Sequence, residues 1–234
     1  MMLSIVIPVK NEEENIKNLL DCLDKQSFKD FDIIIADSNS TDHTLVNIIS
    51  HKLFYKDKKI RIVKGGLPSV GRNNGSKKSN SKFILFIDAD GTINDVDLIQ
   101  KSIDLIIKKK LDLITTNLSC RNNFKVKFIY FLNNSIQYLS KFDMPFSTGM
   151  YFFIRRTKFI ELGGFNEDDQ YAEDYNLSRK VEKHKFGIVN SVVYSDDRRF
   201  KKTGYFGVMK LFIKTFLNKN DENYYKEKIN YFND

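Results

Sequence analysis

Four short, almost uninterrupted apolar runs at residues 3–9, 33–36, 60–63 and 83–87, each followed by a polar or amphipathic segment, constrain this chain more than any other feature. Between the first two, Ile16, Leu19, Leu20 and Leu23 recur at helical spacing. A second helix is expected to begin near Thr41, a candidate cap, with Asp42 placed where negative charge favours a helix N-terminus. A third is expected over residues 69–78. Strands apolar on both faces and separated by helices must be buried on both sides, which is the condition of a parallel sheet with helices above and below. The pattern therefore predicts an α/β fold with a central, mostly parallel sheet flanked by helices. In such sheets ligands collect at the carboxyl ends of the strands. The polar residues that follow each run, Asn11 and Glu12, Asp37 and Ser38, Arg72 and Asn73, then Asp88 and Asp90, are expected to converge there.

Beyond Asp90 the periodicity predicts a helix over 98–110, a strand over 111–118, a long aromatic helix over 124–142, a buried strand over 150–154, a helix over 174–183, a strand over 188–194 and a terminal helix over 205–217. With 234 residues, 41% of them hydrophobic, the chain can bury one sizeable core. Three prolines and eleven glycines argue against a linker-rich protein, and no repeat is present. The only boundary suggested is near residue 200, leaving 201–234 as a basic amphipathic extension. Residues 1–10 read as a first strand rather than a signal peptide, because no basic segment or small-residue cleavage pattern accompanies them. No apolar run approaches the roughly 20 residues that cross a bilayer. Cys22 and Cys120 form no metal-ligand pattern and suit a reducing compartment, so a cytoplasmic location is expected.

The run Phe83-Ile-Leu-Phe-Ile-Asp-Ala-Asp-Gly-Thr-Ile93 admits two chemistries. Its Asp-x-Asp-Gly-Thr resembles the signature of haloacid-dehalogenase phosphatases, in which Asp88 would be a phosphate-attacking nucleophile. Leu113-Ile-Thr-Thr116 and Val192-Val-Tyr-Ser-Asp-Asp197 would then complete a magnesium site, in the right order. In the other chemistry the aspartates hold a metal-bound sugar nucleotide. The first leaves the three preceding strand-helix units, residues 32–42 and the pair Glu173-Asp174 without a purpose.

Six motifs occur together: Ser4-Ile-Val-Ile-Pro-Val-Lys-Asn-Glu12, Asp32-Ile-Ile-Ile-Ala-Asp-Ser-Asn-Ser-Thr-Asp42, Gly71-Arg-Asn-Asn-Gly75, Asp88-Ala-Asp90, Gly163-Gly-Phe-Asn-Glu167 and Glu173-Asp174. In that order they resemble glycosyltransferase family 2 over residues 3 to 182. The resemblance implies a Rossmann-like GT-A fold, with residues 1–95 as the nucleotide-binding half and 96–200 as the acceptor half. It also implies an inverting transferase that moves a sugar from a nucleotide-diphospho-sugar, with UDP the expected nucleotide, to a hydroxyl of a glycan or lipid-linked acceptor.

The diphosphate gains charge as the glycosidic bond breaks, and a divalent cation bridging its oxygens lowers that barrier. Mn²⁺ or Mg²⁺ takes carboxylate oxygens, one or two from protein when phosphates supply the rest. Asp90 is the expected ligand. The resemblance assigns the position of Asp88 to the ribose or to the metal's water shell, with Ala89 between the two aspartates. Asp37 is placed as an acceptor for the nucleoside, beside Ser38, and Arg72 as a donor to a base carbonyl or phosphate. Pro8, Val9, Asn11 and Glu12 are expected to form the loop against the nucleoside, through backbone shape more than side chains. By resemblance Asp174 is the general base and Glu173 its neighbour, turned toward the acceptor or the helix end. Ordinary structural roles compete with each: turn formation for the aspartates, a surface position for Arg72, a dipole-favoured helix start for Glu12 and Glu173-Asp174. Some members of the family add a late histidine near the metal; His184, among lysines, reads as a surface residue.

The net charge is +8, and residues 198–220 hold seven basic residues and no acidic one. Residues 113–142 are also free of acids and carry Phe124, Phe128, Tyr130, Phe131 and Tyr138. In the terminal helix Tyr205, Val208, Met209, Phe212 and Phe216 occupy one face and Lys210 and Lys214 the other. These segments resemble interfacial helices, and core packing explains them equally well. A peripheral contact with an anionic membrane surface is expected, through Arg198, Arg199, Lys201 and Lys202. It would accompany an enzyme or, as the alternative, belong to a non-enzymatic binding module. Segregation of aromatics from the basic face argues against nucleic acid.

Overall fold

In the computed structural model, which describes residues 1–55, 59–218 and 221–226, the four apolar runs form the strands β1 (Leu3–Val9), β2 (Phe31–Asp37), β3 (Ile60–Lys64) and β4 (Phe83–Phe86). They alternate with α1 (Ile16–Asp24), α2 (Thr44–Ile49), the short α3 (Lys52–Tyr55) and α4 (Pro68–Ser76). All three pairings among them are parallel. The register aligns Val9 with Asp37 and Asp37 with Lys64, so the carboxyl ends of β1, β2 and β3 are level. The second helix starts at Thr44 rather than at Thr41: Asp42 accepts from the Thr44 amide at 2.9 Å, while the Thr41 amide is drawn away to the Asn11 side chain.

The second half contributes β5 (Thr92–Ile93), α5 (Leu98–Lys108), β6 (Leu113–Cys120), α6 (Phe124–Ser140), β7 (Phe152–Arg155), α7 (Arg156–Glu161), α8 (Glu173–Ser178), β8 (Phe186–Ser195), α9 (Arg198–Thr203), α10 (Tyr205–Leu217) and α11 (Glu222–Lys226). The eight strands form one sheet in the order β3-β2-β1-β4-β7-β6-β8-β5. Six run in one direction; β7 and β5 run against them. A bulge between Thr116 and Asn117 bends β6 along β8.

Both faces of the sheet are buried, as the unbroken apolar runs require. Leu3, Ile5, Ile7 and Val9 of β1 point to a large cluster with Ile16, Leu19 and Leu20 of α1, Ile99 and Ile103 of α5, and Val126 and Ile129 of α6. Val6 points to the opposite cluster with Phe86, Phe152, Phe159, Phe165 and Leu177. On that second face α4 lies close to β1 because it presents glycine instead of a large side chain: a Cβ on Gly75 would lie 2.3 Å from Val6 Cγ1. This close approach carries Arg72 and Asn73, polar residues of the same helix, into the interior.

The chain turns from one side of β1 to the other between β3 and β4. The crevice beyond the carboxyl ends of β1 and β4 is therefore a topological switch point, the favoured binding place in such sheets. The C-terminal segment closes against the same body: Phe200 and Val208 are buried in the large cluster, and the rings of Phe200 and Tyr130 meet at 5.7 Å.

Candidate active site

The loop after β1 is held by the loop after β2. Asn11 has a left-handed backbone (φ 52°), and its side chain accepts from the Thr41 amide at 2.9 Å while its own amide donates to Ser40 Oγ at 3.1 Å. Val9 is buried, so only its backbone is offered; its carbonyl accepts from the Ser38 amide at 2.9 Å. Pro8 is half-buried beside Gly71. Ser38 donates to the Gly66 carbonyl at 2.7 Å and accepts from its amide at 3.0 Å, tying the ends of β2 and β3 together. Asp37 accepts at 3.3 Å from the Ser40 amide and lines a cleft of about 90 Å³ with Ser38, Asn39, Lys64, Gly65 and Gly66. Its half-buried carboxylate sits level with the end of β1.

Arg72 departs from the sequence expectation. It is not an exposed donor awaiting a base or phosphate: it is 3% exposed, donates through Nη2 to Asp88 Oδ1 at 2.6 Å, and pairs through Nη1 with Glu173 Oε1. The Phe165 ring lies 5.6 Å from its Cζ. Glu173 is likewise not turned toward an acceptor or the helix end; it is buried and faces Arg72. Arg72 thus bridges the first aspartate of Asp88-Ala-Asp90 and the acidic pair, 85 residues apart along the chain from Asp88 to Glu173. Ala89 is buried in the large cluster, and the chain turns there beyond the end of β4, so that Asp88 meets Arg72 while Asp90 lies by Ser195.

Asp90 faces away from Arg72, near the end of β8, with Ser195 Oγ at 3.5 Å. Burial and the nearby carboxylates of Asp88, Asp196 and Glu12 push its pKa up to about 8. So much negative charge in one partly enclosed place is the arrangement that a divalent cation relieves, and hard carboxylate oxygens suit Mn²⁺ or Mg²⁺. Among the described residues no three His, Cys, Asp or Glu side chains are arranged to hold an ion by themselves. The carboxylates that face this place are Asp90, with Asp88, Asp196 and Glu12 near it.

Asp174 opens α8 next to Glu173. Ala172, with a left-handed backbone (φ 56°), turns the chain sharply into that helix. The Asp174 carboxylate accepts from the Gly149 amide at 2.5 Å and the Tyr175 amide at 2.7 Å. Its pKa is raised by burial, against which Arg72 and the two amides act; Glu173 is pushed up to about 7, by burial first and by Asp174 in part. The turn at Gly163 and Gly164 (φ 82° and 74°) supports the pair, since Asn73 holds both the amide and the carbonyl of the adjoining Phe165, at 3.0 and 2.8 Å.

The end of β8 takes a part that differs from both sequence readings of it, the acidic pair of a phosphatase site and a basic membrane contact. Arg198 donates to Glu12 Oε2 at 2.7 Å and pairs with Asp196, and Asn15 donates to Glu12 at 2.9 Å. This network joins the loop after β1 to the segment after β8 beside Asp90. The meeting of Arg198 with Glu12 depends on the path of β8 through the sheet. His184 is exposed and pairs with Glu182, as its surface reading predicted. Thr116 does not serve a phosphatase site: its hydroxyl is buried and donates to the Ser191 carbonyl at 2.8 Å. A larger cleft of about 410 Å³ lies at the opposite edge of the sheet, but its arginines are engaged, Arg155 with the Leu111 carbonyl and Arg156 with the Ser81 carbonyl.

The model of the family described as Glycosyl transferase family 2 matches residues 4–163. The chain belongs to that family. As a family 2 glycosyltransferase it is similar to the Amylovoran biosynthesis glycosyltransferase AmsB of Erwinia amylovora, with 36% identity over 107 residues, 44% of this chain and 35% of that protein. Its fold is similar to that of S. aureus TarS 1-349 solved in complex with UDP-GlcNAc (TM-score 0.69, 21% identity, 97% of this chain and 69% of that one). It is also similar to the mannosyltransferase PcManGT from Pyrobaculum calidifontis in complex with GDP-Man and Mn²⁺ (TM-score 0.73, 17% identity, 94% and 64%). The fold is that of GT-A glycosyltransferases. The matched stretch spans about a third of the Erwinia protein's length.

Proposed function

We propose that this family 2 chain transfers a sugar from a nucleotide-diphospho-sugar, with UDP the first nucleotide to test, to a hydroxyl of a glycan or lipid-linked acceptor, inverting the anomeric carbon. The observation that carries the reading is the Arg72 bridge, which joins Asp88 on the donor side to Glu173, beside Asp174, on the other. Asp37 and the backbone of residues 8–12 would receive the nucleoside. Asp90 and Asp88 would hold Mn²⁺ or Mg²⁺, which when bound offsets the charge of the departing diphosphate. The acceptor oxygen attacks the anomeric carbon, the bond to the diphosphate oxygen breaks, and the acceptor's proton passes to Asp174. Burial makes that carboxylate a stronger base, while Arg72 and the amides of Gly149 and Tyr175 favour its ionised form. The complexes of similar folds with UDP-GlcNAc and with GDP-Man and Mn²⁺ support a nucleotide-sugar donor and a divalent metal.

Thermal-shift titration with UDP-, GDP- and dTDP-sugars, with and without Mn²⁺, tests the donor site, because a ligand that binds only the folded chain raises its transition temperature. One nucleotide sugar is expected to do so in a metal-dependent way. The absence of any shift with metal present would refute the donor reading.

A further inference from the structure

α6 is built inside out. Its buried face carries Val126, Ile129 and Tyr130 but continues into Asn133, Gln137 and Ser140, while its outward face carries Phe124, Phe128, Phe131 and Leu139, followed by Phe142. Steps of three and four residues place these on one stripe, about 25 Å long at 1.5 Å per residue. The rings are bare: Phe124 is 84% exposed, Phe131 63% and Phe142 78%. At about 200 Å² per ring, the four phenylalanines leave on the order of 500 Å² of apolar surface in contact with water, at the upper end of what a monomer leaves uncovered. The polar inner face is not a misplaced surface. Asn134 exchanges two hydrogen bonds of 2.9 Å with the backbone of Leu118, and Gln137 reaches Thr115 Oγ1 at 3.5 Å, which fixes the helix in this rotation.

Charge identifies the occupant. Residues 113–142 contain no acid, and Arg121, Lys125, Lys127 and Lys141 flank the stripe. α10 joins the same surface: Tyr205 accepts from Asn123 at 2.9 Å, and Lys210, Lys214 and Phe206 are exposed. A second copy docked about a two-fold axis would set these cations against their own kind with no acid between them. A soluble polyanion would meet the charges and leave the rings in water. An anionic bilayer satisfies both, since its headgroups attract lysine and its acyl region accepts aromatic side chains.

We propose that α6 is a membrane-docking helix that lies in the interface of an anionic bilayer, with Phe124, Phe128, Phe131, Leu139 and Phe142 inserted and the flanking lysines at the headgroups. The surface differs from the tail named by sequence. Arg198 is engaged with Glu12 and Asp196, and Lys201 with Asp197, so these two contribute less than their number suggests. No helix among the described residues is long and apolar enough to cross a membrane; the proposed contact is parallel to its surface. It does not depend on the identity of the donor.

The test is co-sedimentation of the full chain with phosphatidylcholine vesicles containing about one third phosphatidylglycerol, against pure phosphatidylcholine. Binding to the anionic vesicles is expected, weakening with salt. Phe128→Ser with Phe131→Ser should reduce it at least tenfold, because both rings lose their burial in the acyl region, while leaving the nucleotide-induced thermal shift unchanged. Lys125→Gln with Lys127→Gln should weaken binding and flatten its salt dependence. Failure of the parent chain to bind, or binding that survives loss of the two rings, would overturn the proposal. So would a dimer, seen by sedimentation velocity, that the ring variant dissociates. Equal binding to soluble polyphosphate, insensitive to the ring variant, would overturn it in favour of a polyanion.

Discussion

Gly149→Ala isolates the Arg72 bridge from the rest of the fold. An alanine Cβ at this position would lie 2.2 Å from Arg72 Nη2 and 2.9 Å from Cζ. Ordinary contact begins at 3.4 Å, so Nη2, the atom that donates to Asp88, has to retreat by about 1.2 Å. The guanidinium has little room, with Glu173 on Nη1 and the Phe165 ring 5.6 Å from Cζ. Displacement of this size at a reacting constellation costs on the order of 10²-fold in rate, and forcing an extra methyl into a packed interior costs about 1–3 kcal/mol of stability. The Gly149 amide that holds Asp174 is retained, so the effect is confined to Arg72 and what it orders. The assay is donor-dependent turnover, read as release of nucleoside diphosphate, together with the thermal transition. Two glycines serve as controls. Gly187→Ala, whose Cβ would lie 2.4 Å from Leu111 Cδ1 and meets no group of the Arg72 bridge, should cost stability with turnover per folded molecule intact. Gly163→Ala meets nothing within 4 Å and should cost only the strain of its left-handed backbone, about 1 kcal/mol. Turnover of Gly149→Ala within twofold of the parent, or an equal kinetic loss in Gly187→Ala, would refute the bridge as the organising contact.

Asp174→Asn should lower kcat by about 10²–10⁴-fold, the usual worth of a general base, with donor affinity unchanged by titration; an unaltered kcat would remove Asp174 from the mechanism. Asp90→Asn should abolish the metal-dependent part of the nucleotide thermal shift. It should also change the stability of the metal-free chain with pH. Because the folded pKa of Asp90 is raised to about 8 from an ordinary 3.8, the folded state retains a proton that the unfolded chain releases across that window. Stability from this group is therefore lost as pH rises through the window, and fully lost above about 8. Asp90→Asn should be stabilised relative to the parent at the alkaline end and gain little near pH 4, as urea titration would show; the opposite slope would contradict the crowding of carboxylates around Asp90.

The parallel half was legible in the letters. The apolar runs, the helical spacing of Ile16, Leu19 and Leu20, and the acids after each strand specify which residues form the sheet edge, since a strand buried on both faces has no other composition. The motifs also placed Asp88, Asp90, Glu173 and Asp174 in a site. The direction of β7 was not legible, because a buried strand of four residues reads the same in either direction. Nor was the depth of Arg72: Gly-Arg-Asn-Asn-Gly resembles a surface turn of helix until Gly75 is seen against Val6, and only that contact brings Arg72 inside. The outward aromatics of α6 follow the periodicity of a core helix, and a period identifies two faces without saying which is inward.

Local composition, then, determined the elements and the sheet class, because those depend on residues near one another in the chain; the resemblance, not composition, grouped the acids into one candidate site. The tertiary structure alone decided what each polar group faces. Arg72 meets Glu173 across 101 residues and Arg198 meets Glu12 across 186. Such contacts are set by the order of strands in the sheet and by how closely a glycine lets a helix approach, and neither is written in the spacing of any one segment.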